Sequence, residues 1–192
     1  MSELRLPRSV GITHPANLLT VTRLLFAPLL FWLVLAAQDT RGASWVVFGL
    51  GIALASTDFL DGKVARRANV VSRSGAFLDP LADKVVIIGS AFCLVAVQRY
   101  WWLPVALITA RELAITVWRS RWARRGLALP ARRSAKYKTL VQAAALAIAV
   151  APPLQTQDAL IAVVLWVAVV WTLVSGAQYL LDGQNALSSS GE

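Results

Sequence analysis

The sequence predicts an all-α, polytopic membrane protein with six transmembrane helices, and three observations carry that expectation. Of the 192 residues, 57% are hydrophobic and 15% charged, with a mean hydropathy of +0.61, a composition unlike that of a soluble globular chain. Six stretches lack any charged residue, at 24–38, 42–57, 85–98, 100–110, 139–157 and 159–181. The basic residues are also distributed unevenly. The connections before the second, fourth and sixth helices hold only Arg41 and Arg99, whereas the other 17 of the 19 Lys and Arg lie in the alternate connections and their adjoining helix ends. By the positive-inside rule the N-terminus is cytoplasmic, and six spans return the C-terminus to the same side.

The helices follow from these lengths. A span needs about 20 residues to cross roughly 30 Å of hydrocarbon, and four of the six uncharged stretches are 16 residues or shorter, so the helices extend into charged sequence. The expected helices are Asn17–Gln38, Ala43–Val70, Ser74–Gln98, Trp101–Arg124, Ala135–Val150 and Asp158–Leu181. Extending the second helix forward brings in Asp58 and Asp61. Extending the third backward brings in Asp79, Asp83 and Lys84. Residues 2–14 suit a short interfacial helix. Arg5 and Arg8 ahead of an apolar run ending Leu35-Ala36-Ala37 resemble a cleavable signal, but five further spans need only an uncleaved anchor. Trp45, Trp101, Trp102, Trp118 and Trp122 fall near membrane boundaries, as an aromatic belt requires. One membrane domain, residues 1–181, and a loose C-terminal tail, residues 182–192, account for the chain.

The inventory restricts the chemistry. Cys93 is the only cysteine and His14 the only histidine, which excludes an intrachain disulfide and any metal site built on several thiolates or imidazoles. Cys93 reads as a small apolar filler. The net charge of +9 is confined to membrane-flanking segments, which favours anionic headgroups and phosphorylated substrates over nucleic acid.

Asp58 and Asp61 are spaced i, i+3 and Asp79 and Asp83 i, i+4, so each pair occupies one helix face. The residues between the two helices form a short cytoplasmic connection, which makes the helices antiparallel neighbours whose acidic faces can meet. Four converging carboxylates repel strongly in a low dielectric. A divalent cation with all-oxygen ligation, Mg²⁺ or Mn²⁺, relieves that repulsion. Gly62 and Gly75 leave notches beside the carboxylates, and Arg66 lies one turn beyond Ala65, able to reach a phosphate. On physics alone this is a membrane-embedded, cytoplasm-facing dimetal site beside a phosphate-binding cation.

Asp58-Phe-Leu-Asp61-Gly62-Lys-Val-Ala65-Arg66, followed by Gly75, Asp79 and Asp83 at fixed spacing, resembles the signature of the CDP-alcohol phosphatidyltransferases. Asn17-Leu-Leu-Thr20-Val-Thr-Arg23 opens the first helix as in that family's bacterial members. Ala110-Arg111-Glu112-Leu113, Arg119 and Lys136-Tyr-Lys138-Thr139 are similar to its phosphatidylglycerophosphate synthases. The resemblance implies transfer of a phosphatidyl group from CDP-diacylglycerol to glycerol 3-phosphate, with release of CMP, in a homodimer of the bacterial plasma membrane. Asp58, Asp61, Asp79 and Asp83 then hold two Mg²⁺ or Mn²⁺ ions. Asp83 accepts the attacking hydroxyl's proton or, its pKa being near ~3.9 when unperturbed, mainly orients the nucleophile. By the same resemblance, Gly62, Arg66, Ser72, Asn17 and Thr20 hold the CDP-lipid, and Arg111, Arg119, Lys136 and Lys138 meet the acceptor's phosphate.

Other readings stay open at this stage. A cardiolipin synthase or a phosphatidylinositol phosphate synthase shares the donor signature. A cation or proton transporter could use the four aspartates as its ion path, but it calls for polar groups in corresponding halves, and the last two helices hold hardly any. Arg111 and Glu112, adjacent in one helix, also read as a structural ion pair, and Lys84 as the partner of a carboxylate or a side chain reaching for headgroups.

Overall fold

The computed structural model describes the backbone of residues 15–68, 75–124 and 133–188, and the side chains of residues 20–57, 81–121 and 137–181. The described residues form six α-helices: α1 Pro15–Ala36, α2 Trp45–Ala68, α3 Gly75–Ala96, α4 Trp102–Arg124, α5 Arg133–Val150 and α6 Asp158–Ser188. Short 3-10 turns at Gln38–Thr40 and Pro152–Leu154 join α1 to α2 and α5 to α6. The expected starts and ends hold to within two residues at nearly every boundary. The exception is α6, which runs to Ser188 where the sequence suggested a loose tail after Leu181.

Packing follows the 3-4 spacing of buried positions along each helix. On α1 these are Thr20, Arg23, Ala27, Leu30 and Val34, and on α6 Ile161, Leu165, Ala168, Thr172 and Ser175. The resulting bundle is two four-helix groups sharing an edge. In one, α1 and α5 each pack against both α2 and α3; in the other, α3 packs on α4 and α5 on α6, with α4 against α6. The shared helices α3 and α5 therefore lie at the centre. The meeting of α2 and α3 expected from the two aspartate pairs falls on side chains outside the described residues.

The tight ends of the bundle need special backbone. Arg41 and Gly42 take left-handed conformations, φ 52° and 85°, to turn the chain from α1 into α2. A Cβ at Gly42 would also press on Leu94 and Val34 at 3.1 and 3.2 Å, so only glycine suits the site. Between α1 and α3 the approach is closer still, since a Cβ at Gly89 would lie 2.3 Å from the Phe31 ring.

The described surface is far more apolar than that of a water-soluble protein, and several polar side chains are buried within the apolar core. Phe26, Trp32, Phe92, Val163 and Val170 are exposed, while Arg23, Glu112 and Gln142 are buried. Exposed apolar surface on this scale marks contact with something other than water, and the Asp158–Leu181 stretch of α6 is long and apolar enough to cross a membrane. Shorter apolar stretches occupy Thr20–Ala36, Trp45–Thr57 and Tyr137–Val150. Cys93 sits half-buried against the hydrophobic core, as a filler should.

Candidate active site

Arg23 brings the first half of the site together. It occupies the buried stripe of α1, 2% exposed, and its guanidinium donates to the Asp83 carboxylate on α3, 60 positions away in sequence. Asp83 retains 29% side-chain exposure. A permanent cation thus holds a carboxylate at the end of the α1–α3 seam, in reach of solvent and of an ion.

The second half begins at the next residue. Lys84 was expected to pair with a carboxylate or reach for headgroups; its ammonium donates to the Thr116 hydroxyl on α4 and lies within electrostatic range of the Glu112 and Asp83 carboxylates. Thr116 donates in turn to the backbone carbonyl of Glu112 at 2.6 Å. Glu112, 4% exposed, is the hub of the cluster. Its Oε1 accepts from Arg111 at 2.9 Å and from Lys138 of α5 at 2.5 Å. Arg111 also donates to Ser175 of α6 at 3.1 Å. Ser175 donates to the Thr172 carbonyl at 2.9 Å, and Gln142 donates to the Thr172 hydroxyl at 2.9 Å. Four helices are thereby tied together around Glu112, with Arg111 and Lys138 bonded to its carboxylate. With Lys84, Arg111 and Lys138 against Glu112, the cluster carries two positive charges in excess, largely out of water, and such a surplus attracts an anion.

Of the residues singled out from sequence, Asp83, Arg111 and Lys138 enter this continuous polar seam. Thr20 is wholly buried on α1. Arg119 is exposed and lies over the Tyr179 ring, 5.8 Å from its centroid, beside the Trp118–Tyr179 ring contact. It reaches α6 through this contact and stays within electrostatic range of Lys84. Asp58, Asp61, Gly62, Arg66, Asp79, Asn17 and Lys136 lie on described helices, but their side chains, and all of Ser72, lie outside the described residues. The adjacent pair Arg111–Glu112 is indeed an ion pair, as one reading of the sequence had it.

Sequence reading quoted Arg23 within a motif without giving it a role and passed over Thr116, Ser175 and Gly176. Signals existed for Arg23 and for the α6 pair. Arg23 falls in 3-4 register with Thr20 and Ala27, and Ser175-Gly176 is a small, polar pair in a helix otherwise made of Val, Leu, Ala and Trp.

Comparison with known proteins now decides the family. Residues 13–174 match the family model of the CDP-alcohol phosphatidyltransferases. The chain belongs to that family. It is similar to a probable phosphatidylglycerophosphate synthase of Mycobacterium tuberculosis, with 35% identity over 175 residues, 88% of this chain and 81% of the relative. A CDP-diacylglycerol–glycerol-3-phosphate 3-phosphatidyltransferase of Rickettsia felis is 32% identical over 168 residues, 85% of this chain and 91% of the relative. One of the same description from Bacillus subtilis is 30% identical over 190 residues, 91% and 97%. The family is one of membrane-embedded transferases that in general depend on divalent metal. The carboxylate that the structure describes fits such an ion: Asp83 offers oxygen, the donor a hard cation prefers, and is partly open and held in place by Arg23.

Proposed function

We propose that this phosphatidyltransferase joins CDP-diacylglycerol to glycerol 3-phosphate, giving phosphatidylglycerophosphate and CMP. The observation that carries the reading is the cluster of Lys84, Arg111 and Lys138 at Glu112: Arg111 and Lys138 donate to its carboxylate, and Lys84 joins through Thr116, which donates to the Glu112 carbonyl. Its surplus of two positive charges matches a dianionic phosphate monoester. The phosphodiester of phosphatidylglycerol, the acceptor of a cardiolipin synthase, carries one negative charge and needs no such cluster. The descriptions of the Rickettsia felis and Bacillus subtilis relatives agree with this choice.

In the mechanism, Asp58, Asp61, Asp79 and Asp83 would hold two Mg²⁺ or Mn²⁺ ions. When bound, the ions neutralise the diphosphate and make its phosphorus more electrophilic. Gly62, Arg66 and Ser72 cradle the CDP part, with Asn17 and Thr20 supporting the pocket. Arg111 and Lys138, with Lys136 on the same helix as Lys138, hold the acceptor's phosphate, and Arg119 lies at the rim. Asp83, oriented by Arg23, takes up the proton as the acceptor's hydroxyl oxygen forms its bond to the lipid-side phosphorus. The bond from that phosphorus to the CMP oxygen breaks, and CMP departs.

The setting follows from the apolar surface and the charge asymmetry: six spans in the bacterial plasma membrane, with both termini and the active site cytoplasmic. The family resemblance supports a homodimer. Purified protein given CDP-diacylglycerol with glycerol 3-phosphate should yield a product of the mass of phosphatidylglycerophosphate. If it ignores glycerol 3-phosphate and converts phosphatidylglycerol or an inositol phosphate, the acceptor assignment is wrong.

A further inference from the structure

Arg111 is held from three sides, and only one of them lies on its own helix. One terminal nitrogen donates to Glu112 at 2.9 Å and the other to Ser175 Oγ at 3.1 Å, while the buried Nε–H has no hydrogen-bond partner. The third contact is with Gly176. A Cβ there would stand 2.6 Å from Arg111 Nε, 3.3 Å from its Cγ and 3.4 Å from its Cζ. The nearest atoms all belong to the Arg111 side chain and none to the backbone of α4. The missing side chain at 176 therefore makes room for the guanidinium itself, where a glycine placed only to let two helices approach would face backbone. Ser175 is fixed for its part by donating to the Thr172 carbonyl, and Thr172 is tied to α5 through Gln142.

We infer that Ser175 and Gly176 of α6, together with Glu112, are positioning residues that hold the Arg111 guanidinium for the phosphate of the acceptor, so that α6 helps set which acceptor the enzyme takes. This rests on the reading of Arg111 as an acceptor ligand. Both α6 residues lie just beyond the segment that matches the family model, which ends at residue 174. With both terminal nitrogens engaged and Gly176 against Nε, the Arg111 guanidinium is fixed in place, and the remaining hydrogens of its terminal nitrogens and of the Lys138 ammonium are the donors a phosphate monoester can meet.

The test uses the full-length protein in detergent and two readouts: steady-state kinetics, and calorimetric binding of glycerol 3-phosphate. Gly176→Ala forces only a side chain to shift, so its melting temperature should stay at the wild-type value. Its KM and Kd for glycerol 3-phosphate should rise about tenfold, the loss of one charge-assisted hydrogen bond, with the KM for CDP-diacylglycerol unchanged. Ser175→Ala should act in the same direction and Ser175→Thr restore the wild-type value. In an Arg111→Ala background, Gly176→Ala should add nothing, because its effect passes through Arg111. If Arg111→Ala weakens acceptor binding while Gly176→Ala and Ser175→Ala do not, or if the effects simply add, the cradle is refuted. If Arg111→Ala itself leaves acceptor binding intact, the assignment of Arg111 as a ligand falls first, and the cradle with it.

Discussion

Two arginines buried at separate places in the bundle show what separates a structural cation from an available one. Arg99, in the turn between α3 and α4, has a fully buried side chain, and every nitrogen of its guanidinium has a partner. It donates to the carbonyls of Ala149, Gln155 and Leu154 at 3.0, 2.6 and 3.0 Å and to Asp158 at 3.1 Å. Burial and the neighbouring Arg41 pull its pKa down and Asp158 pushes it back up, but a guanidinium keeps its proton regardless. Arg99 thus closes the open carbonyls at the end of α5 and ties that end to α3 and α6. Arg111 instead keeps Nε–H unpartnered and has two further cations in its cluster. Where all donors are used, an arginine only stitches helices together. A ligand is expected where charge and donors are left over.

That contrast can be tested by the same change made at each end. Asp83→Asn should reduce CMP release far more than it reduces CDP-lipid binding, and Asp58→Asn or Asp79→Asn should abolish both. Asp158→Asn should leave turnover of the folded enzyme at the wild-type rate. Wild-type turnover for Asp83→Asn at saturating metal would remove that residue from the chemistry. The two ends should also lie on opposite sides of the membrane. In a Cys93→Ser background, an impermeant thiol reagent applied to intact cells should label Thr156→Cys and not Ser134→Cys, and labelling at Ser134→Cys would overturn the topology.

Smaller effects sharpen the comparison. Arg99→Ala should destabilise the protein by about 3 kcal/mol, since it leaves several buried carbonyls without donors; thermal unfolding in detergent would read this, with KM values for the folded enzyme unchanged. Arg111→Ala and Lys138→Ala should raise the KM for glycerol 3-phosphate by about 10- to 150-fold, or about 1.5 to 3 kcal/mol. A drop in melting temperature without a KM change would class Arg111 with Arg99. The smallest effect belongs to Arg41, whose bonds to Asp158 at 2.8 and 3.1 Å lie at an exposed surface. Arg41→Ala should cost less than about 1 kcal/mol, and less still in high salt.

Much of this architecture was legible in the amino acids because it depends on local rules. The uncharged stretches and the basic connections placed six helices, and all six are present. The end of α6 was misjudged because Asp182-Gly183-Gln184 looks like a polar tail, yet nothing there prevents the helix from continuing to Ser188. The Arg111 and Lys138 motifs pointed without a fold to residues that meet at Glu112, while the aspartate spacing rests on helix periodicity and, apart from Asp83, on side chains outside the described residues. The partners of those residues could not be read the same way. Lys84 was expected beside a carboxylate or at the headgroups, and it is the fold that gives it Thr116 as hydrogen-bond partner and Glu112 as electrostatic neighbour, as it gives Arg119 the Tyr179 ring.

The sequence by itself determined the all-helical class, the membrane-facing chemistry of the surface and the residue types of a phosphatidyltransferase, because each rests on composition or on spacing within one helix. Only the tertiary structure decided that Arg23 belongs to Asp83, that Glu112 gathers cations from three helices, and that Arg111 lies against Gly176. Those pairings join residues up to 65 positions apart. Their energies come from removing specific charges and donors from water together, and which groups are buried together is settled by how the helices pack, not by the order of residues along any one of them.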